Sequence, residues 1–272
     1  MKKILLLSAI FMVSLLSQAQ NTAFEGEVMY ENTVTSSKGM KKLYPSLLKD
    51  GTYAMQYTIK GEKRKMTDTY AGLIQYENRE RDLAYIYSPL LKKGYKYKIS
   101  DYEKGQAKKY EEAGGKPAKK TGEKKEIEGL TCYQYKGAAD LSYDLLGAKM
   151  VINCTTEYWV CPDFPKEYIG SILVEGLPVS FDEMQIAQIP LLGSQKQHQN
   201  LQMTEIKKRE VDISEVTPPS GIDYQITEDP VSALMKIEKE ISKYMKKNKL
   251  TSTGVDVHHG KIETEILDDA WD

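Results

Sequence analysis

Residues able to do chemistry are present, but they are not spaced for a reaction. A serine nucleophile on a strained turn needs Gly-x-Ser-x-Gly, and Gly170-Ser171 lacks the second glycine. The three histidines are His198, in the polar run SQKQHQN, and the pair His258-His259 near the C-terminus. A catalytic triad needs a rigidly held base, and neither stretch predicts one. The His pair could take a metal opportunistically, but it reads as part of a solvated tail, so no metal site is assigned. Gly114-Gly115 has neither the spacing nor the context of a phosphate loop or dinucleotide fingerprint. Glu157 and Asp163 flank Trp159, and a tryptophan between carboxylates is one way to build a sugar-cleaving site. Alternating strands produce that arrangement by chance, so the hydrolase reading ranks last and Trp159 reads as a core anchor. No catalytic residue and no cofactor are assigned.

The cysteines are Cys132, Cys154 and Cys161. Three allow one internal disulfide at most. Cys154 and Cys161 are seven residues apart, so on one continuous strand they face opposite ways and only one can meet Cys132 across a hairpin. Cys132–Cys161 is preferred. Cys132–Cys154 and three separate buried thiols remain as alternatives. Without Cys-x-x-Cys or a nearby histidine, the spacing is not a zinc pattern.

The compartment is read from the N-terminus. Lys2 and Lys3 precede an apolar run from Ile4 to Leu16, and Ser17-Gln18-Ala19 supplies small residues at −3 and −1. This predicts a secretory signal peptide cut after Ala19 and a periplasmic or secreted protein. A retained N-terminal anchor is the alternative. With no cysteine near the cut, a lipoprotein anchor is not indicated. Removing residues 1–19 and their two lysines takes the formal charge from −1 to −3 and leaves 272 − 19 = 253 residues. That length can bury a real core. Its balanced charge does not indicate a nucleic-acid partner.

The elements follow from alternation. Phe24–Val34, Gly51–Lys60, Arg64–Tyr70, Leu73–Glu77, Leu83–Tyr87 and Tyr95–Ile99 read as strands. Residues 105–126 are rich in lysine, glycine and glutamate and read as a mobile loop or hairpin tip. Ile127–Pro165 reads as two extended segments joined by a loop. Ile172–Glu175, Val179–Met184, Gln185–Ile189 and Leu201–Glu210 add further strands. Asp229 and Pro230 then start a helix, with Leu234, Ile237, Ile241, Tyr244 and Met245 on one stripe. The predicted fold is mostly β, a large antiparallel curled sheet or incomplete barrel with a C-terminal helix. Its divisions are a signal peptide at 1–19, a β domain at 20–225, a helix at 226–250 and a loose polar tail at 251–272.

Gly129-x-x-Cys132-x-x-Tyr135, then Thr156-Glu157-Tyr158-Trp159-Val160 and Asp163-Phe164-Pro165, resembles the core of exported Bacteroidota domains of unknown function. These are similar in fold to the LolA/LppX lipoprotein carriers. Gly176-Leu177-Pro178 is similar to the related GLPGLI group, although Val179-Ser180 replaces its following Gly-Leu. The early strand Phe24-x-Gly26-x-Val28-x-Tyr30 fits both groups. The C-terminal helix and tail, Cys154 and Cys161 lie outside their pattern. The resemblance implies an incomplete antiparallel β-barrel whose concave face is apolar and covered by helix or loop. The resemblance carries no established activity, but LolA-like proteins shelter acyl chains on that face, so the expected function is a non-enzymatic binding protein with a lipid or lipoprotein acyl chain as ligand. A ligand-free envelope module with a protein partner is the alternative.

Overall fold

Alternating apolar and polar residues give strands, and here nearly all of them join one sheet. The computed structural model describes residues 24–39, 50–116, 118–127, 129–145, 148–162, 167–169, 172–174, 177–189 and 193–257. The segment read as a signal peptide, Asp163 and the His258-His259 pair lie outside the described residues.

The strands are β1 (Glu25–Ser36), β2 (Gly51–Lys60), β3 (Lys63–Asp68), β4 (Leu73–Asn78), β5 (Leu83–Ser88) and β6 (Lys93–Tyr97). After helix α1 (Ile99–Glu112) come β7 (Lys119–Ile127), β8 (Leu130–Leu145) and β9 (Ala148–Cys161). Then follow β10 (Glu167–Ile169), β11 (Ile172–Val174), β12 (Leu177–Ile189), β13 (Gly193–Lys208) and β14 (Tyr224–Ile226). Helix α2 spans Pro230–Asn248. Twelve strands form one sheet in the order β14-β6-β5-β4-β3-β2-β1-β13-β12-β9-β8-β7, and β10 and β11 pair separately. All pairs are antiparallel except β14 with β6. The fold is mostly β, a curled sheet that does not close into a barrel, with a C-terminal helix.

The position of α1 reveals the curl. At one end its Tyr102 ring lies 5.6 Å from that of Tyr97 on β6. At the other, Tyr110 and Ala113 pack with Ala139, Leu141 and Ile152 on β8 and β9. Nine strand spacings separate β6 from β8, about 43 Å if the sheet were flat. Fourteen helical residues span only about 21 Å. The helix can touch both ends only because the sheet wraps around it.

At 105–126, where a mobile loop or hairpin tip was expected, stand the end of α1 and the strand β7, which forms a hairpin with β8. The correction has a physical cause. Asp82, at the β4–β5 turn, accepts from the backbone N–H of Ser100 at 2.7 Å and from its hydroxyl at 2.6 Å. The helix start is therefore held by a side chain 18 residues away. The lysines at 119–125 lie on an exposed edge strand, where charge discourages pairing with another chain.

Helix α2 follows the local signals. Asp229 accepts from the Ser232 N–H at 3.2 Å, Pro230 opens the first turn, and Lys249 closes the helix with φ +56°. Ile237 and Ile241 are buried against Leu73, Ala84, Ile86 and Tyr97. Each buried isoleucine is worth about 1.5–3 kcal/mol. The helix is thus part of the sheet's core. Tyr244 departs from the expected stripe and is exposed. The chain beyond it also packs where it is described. Val255 and Val257 are buried, and a Cβ on Gly72 would meet the Thr253 side chain at 2.4 Å. The loose tail expected from 251 is therefore not loose through Val257.

Candidate ligand-binding site

Strand register builds one polar spot into the concave face. Following the ladders sideways, Ile59 stands opposite Arg64, Arg64 opposite Glu77, Glu77 opposite Ala84, and Ala84 opposite Tyr97. The next row on the same face runs Tyr57, Met66, Gln75, Ile86 and Tyr95. Side chains two residues apart on a strand share a face, so both rows point to the concave face, where α2 covers Ala84, Ile86 and Tyr95 and α1 lies beside Tyr97. Between them and α1 lies a cavity of about 220 Å³. Tyr57, Met66, Tyr97, Ile99 and Tyr102 form its less polar walls. Arg64, Gln75, Glu77, Arg79 and Glu103 supply its polar atoms.

The charged groups form a chain. Arg64 Nη2 donates to Glu77 Oε2 at 2.7 Å. The same oxygen is 3.6 Å from Arg79 Nη2, and Arg79 Nη1 donates to Glu103 Oε1 on α1 at 2.9 Å. Burial works against the Arg64 charge, but the Glu77 carboxylate offsets it and the guanidinium pKa is raised. Arg64 also lies over the Tyr57 ring, 5.8 Å from its centroid. Burial pushes the Tyr57, Tyr97 and Tyr102 hydroxyls up. At neutral pH they are therefore neutral donors. Two cations and two anions leave the cluster balanced. Arg79 Nε is nevertheless buried without a hydrogen-bond partner among the described residues.

Past the cavity the concave face is aromatic. The Tyr30 and Tyr57 rings meet edge to face at 5.6 Å, and Tyr135 stacks on Tyr158 at 5.4 Å. Tyr158 in turn neighbours Phe181. The hydroxyls of Tyr30 and Tyr158 are buried and have no hydrogen-bond partner among the described residues. An unmet buried hydroxyl costs about 1–3 kcal/mol, so a polar group reaching either would be stabilised.

The residues singled out from sequence lie elsewhere. Cys132, Cys154 and Cys161 are all buried thiols. The β8–β9 register, with Tyr133 opposite Val160, sets Cys132 opposite Cys161 one pair further on, whereas Cys154 stands opposite Ala139. Burial and the Glu183 carboxylate push the Cys154 thiol up to about 12, so it is a poor nucleophile at neutral pH. Trp159 faces away from Tyr158. It is half-buried, with Lys125 Nζ 4.0 Å above its ring. Glu157 is bound by Lys136 at 3.1 Å and by Gln134 at 2.9 Å. Chiefly through Lys136, these contacts lower its pKa, the reverse of what a general acid needs. His198 sits on the regular strand β13, not in an irregular run, and its Nε2 lies 2.9 Å from Asp182. No group of three His, Cys, Asp or Glu residues suited to a metal occurs among the described residues.

Sequence reasoning missed Arg64, Glu77, Arg79 and Glu103. Their only signal is that charged residues interrupt apolar strand positions, as Arg64 and Glu77 do. No protein-family model matches this chain, and no curated protein matches it.

Proposed function

We propose that this is an exported, non-enzymatic binding protein that holds an apolar or lipid ligand on the concave face of its half-barrel, beneath α1. The observation that carries this reading is the aromatic concave face with its two unmet buried hydroxyls and its cavity under the helix. The helix covers this face with few apolar side chains, chiefly Ile99, Tyr102 and Tyr110, with Ala113 just past its end. Its remaining anchors are polar, from Asp82 and Arg79. A cover held this way separates from the sheet at less cost than one packed by leucines, because less apolar surface returns to water. The cavity alone is small for a drug-sized ligand, so a long acyl chain requires α1 to shift. Export rests on the basic and apolar N-terminus, and the carrier role accords with the resemblance to LolA/LppX-like proteins.

The test is native mass spectrometry of residues 20–272 recovered from the periplasm, followed by organic extraction. A bound mass that extracts as lipid supports the reading. A clean unliganded mass, with no uptake of a fluorescent fatty acid, overturns it. The alternative is an envelope module with a protein partner. It draws on Met235 and Tyr244 of α2, exposed at 44% and 43%.

A further inference from the structure

We propose that the cavity under α1 is a carboxylate-binding site in which Arg79 is the receptor and Glu103 is the internal competitor. Its ligand is a monocarboxylate with a short apolar body. This rests on the binding-protein reading and narrows it.

The argument begins at one guanidinium. Arginine presents its donors as a planar fork, and the Nε–Nη2 edge matches a carboxylate with two parallel bonds. In Arg79 that edge is underused. Nε is buried with no acceptor among the described residues, and Nη2 has only the 3.6 Å approach to Glu77. Glu103 takes Nη1 alone, through a single oxygen at 2.9 Å. Nε is closed to solvent here, so a guest carboxylate reaches that edge only as Glu103 and α1 move aside, and it would then satisfy the buried Nε–H.

Charge sets the strength of that site. Glu77 is committed to Arg64 at 2.7 Å. Glu103 belongs to the helix, not the sheet, and its charge offsets that of Arg79. Swinging it outward leaves two arginines and one glutamate, net +1, facing the cavity. Any guest carboxylate must compete with Glu103 for the same guanidinium. The remaining walls select the body. Tyr57, Met66, Tyr97, Ile99 and Tyr102 offer rings and apolar carbon. A volume near 220 Å³ equals the share of about seven liquid waters. That is room for a short chain or a single ring.

Calorimetric titration with hexanoate and with its neutral isostere hexanamide tests the site. Hexanoate should bind at least about tenfold more tightly than hexanamide, because charge-assisted bidentate bonds are roughly twice as strong as neutral ones. Glu103→Gln keeps a hydrogen bond to Arg79 but removes the competing charge, and should tighten hexanoate binding about fivefold to tenfold. A purely structural Glu103 would give no tightening. Arg79→Gln should abolish the preference for hexanoate. If that variant does not fold, Glu103→Gln and the isostere still decide. Equal binding of hexanoate and hexanamide, or unchanged or weaker binding in Glu103→Gln, overturns the proposal. Copurified lipid without hexanoate binding overturns the carboxylate site and leaves the carrier reading standing. Absence of both overturns the two together.

Discussion

Removing the Glu77 carboxylate should be among the most damaging single changes in the sheet. Arg64 is 5% exposed and donates to Glu77 at 2.7 Å. In Glu77→Gln the guanidinium stays buried and loses the Glu77 charge. Breaking one side of a buried ion pair costs about 3–5 kcal/mol, whereas replacing the pair with apolar residues of similar volume is often close to neutral. The Glu77 side chain is 17% exposed and also neighbours Arg79, so the lower end, about 3 kcal/mol, is expected. The double variant Arg64→Met/Glu77→Leu should lie within about 1 kcal/mol of the parent, because Arg79 keeps Glu103. Urea unfolding measures both as shifts in midpoint at constant slope. A single variant within about 1 kcal/mol of the parent would refute the buried-pair argument. So would a double variant less stable than the single one.

Three further outcomes follow from the same structure. Asp82→Ala removes the tertiary cap of α1 and should cost about 0.5–2 kcal/mol. Faster hydrogen exchange should be concentrated in 100–106, and uniform protection there would count against the cap. The Ser100 hydrogen bonds hold the Asp82 carboxyl low. The stability from Asp82 is therefore present above the unfolded carboxyl pKa and lost as pH falls through the lower folded value. Glu183 has the opposite sign, because burial raises its pKa. Glu183→Gln should stabilise the protein at neutral pH, with the gain vanishing below about pH 4, where the unfolded carboxyl is protonated too. A gain independent of pH would mean that packing, not charge, is responsible. Any intramolecular disulfide formed under oxidising conditions should join Cys132 to Cys161, the pair set opposite each other by register, and non-reducing peptide mapping that finds Cys154 in a bridge would contradict that register.

Local patterns carried the strands and the last helix. Residues 51–60 alternate Tyr53, Met55, Tyr57 and Ile59 with small and polar residues, and any strand that buries one face must pair that way. Helix α2 starts at its own Asp229 and Pro230 and buries its own Ile237 and Ile241, so each determinant lies within its span. Helix α1 was not legible. Its cap is Asp82, and its inward residues Ile99, Tyr102 and Tyr110 are diluted by lysines, Glu111, Glu112 and Gly105. Such a stripe becomes decisive only once a curled sheet surrounds it. The candidate site was hidden for the same reason. Arg64, Glu77 and Tyr97 fall on one row because the turns between β3 and β6 set the register, and Glu103 meets Arg79 only when α1 lies across the concave face. The sequence alone determined which residues alternate and where the last helix begins, since those depend on neighbours along the chain. Register and curl decided which charges meet under α1, because those contacts join residues distant in sequence whose pairing no local propensity encodes.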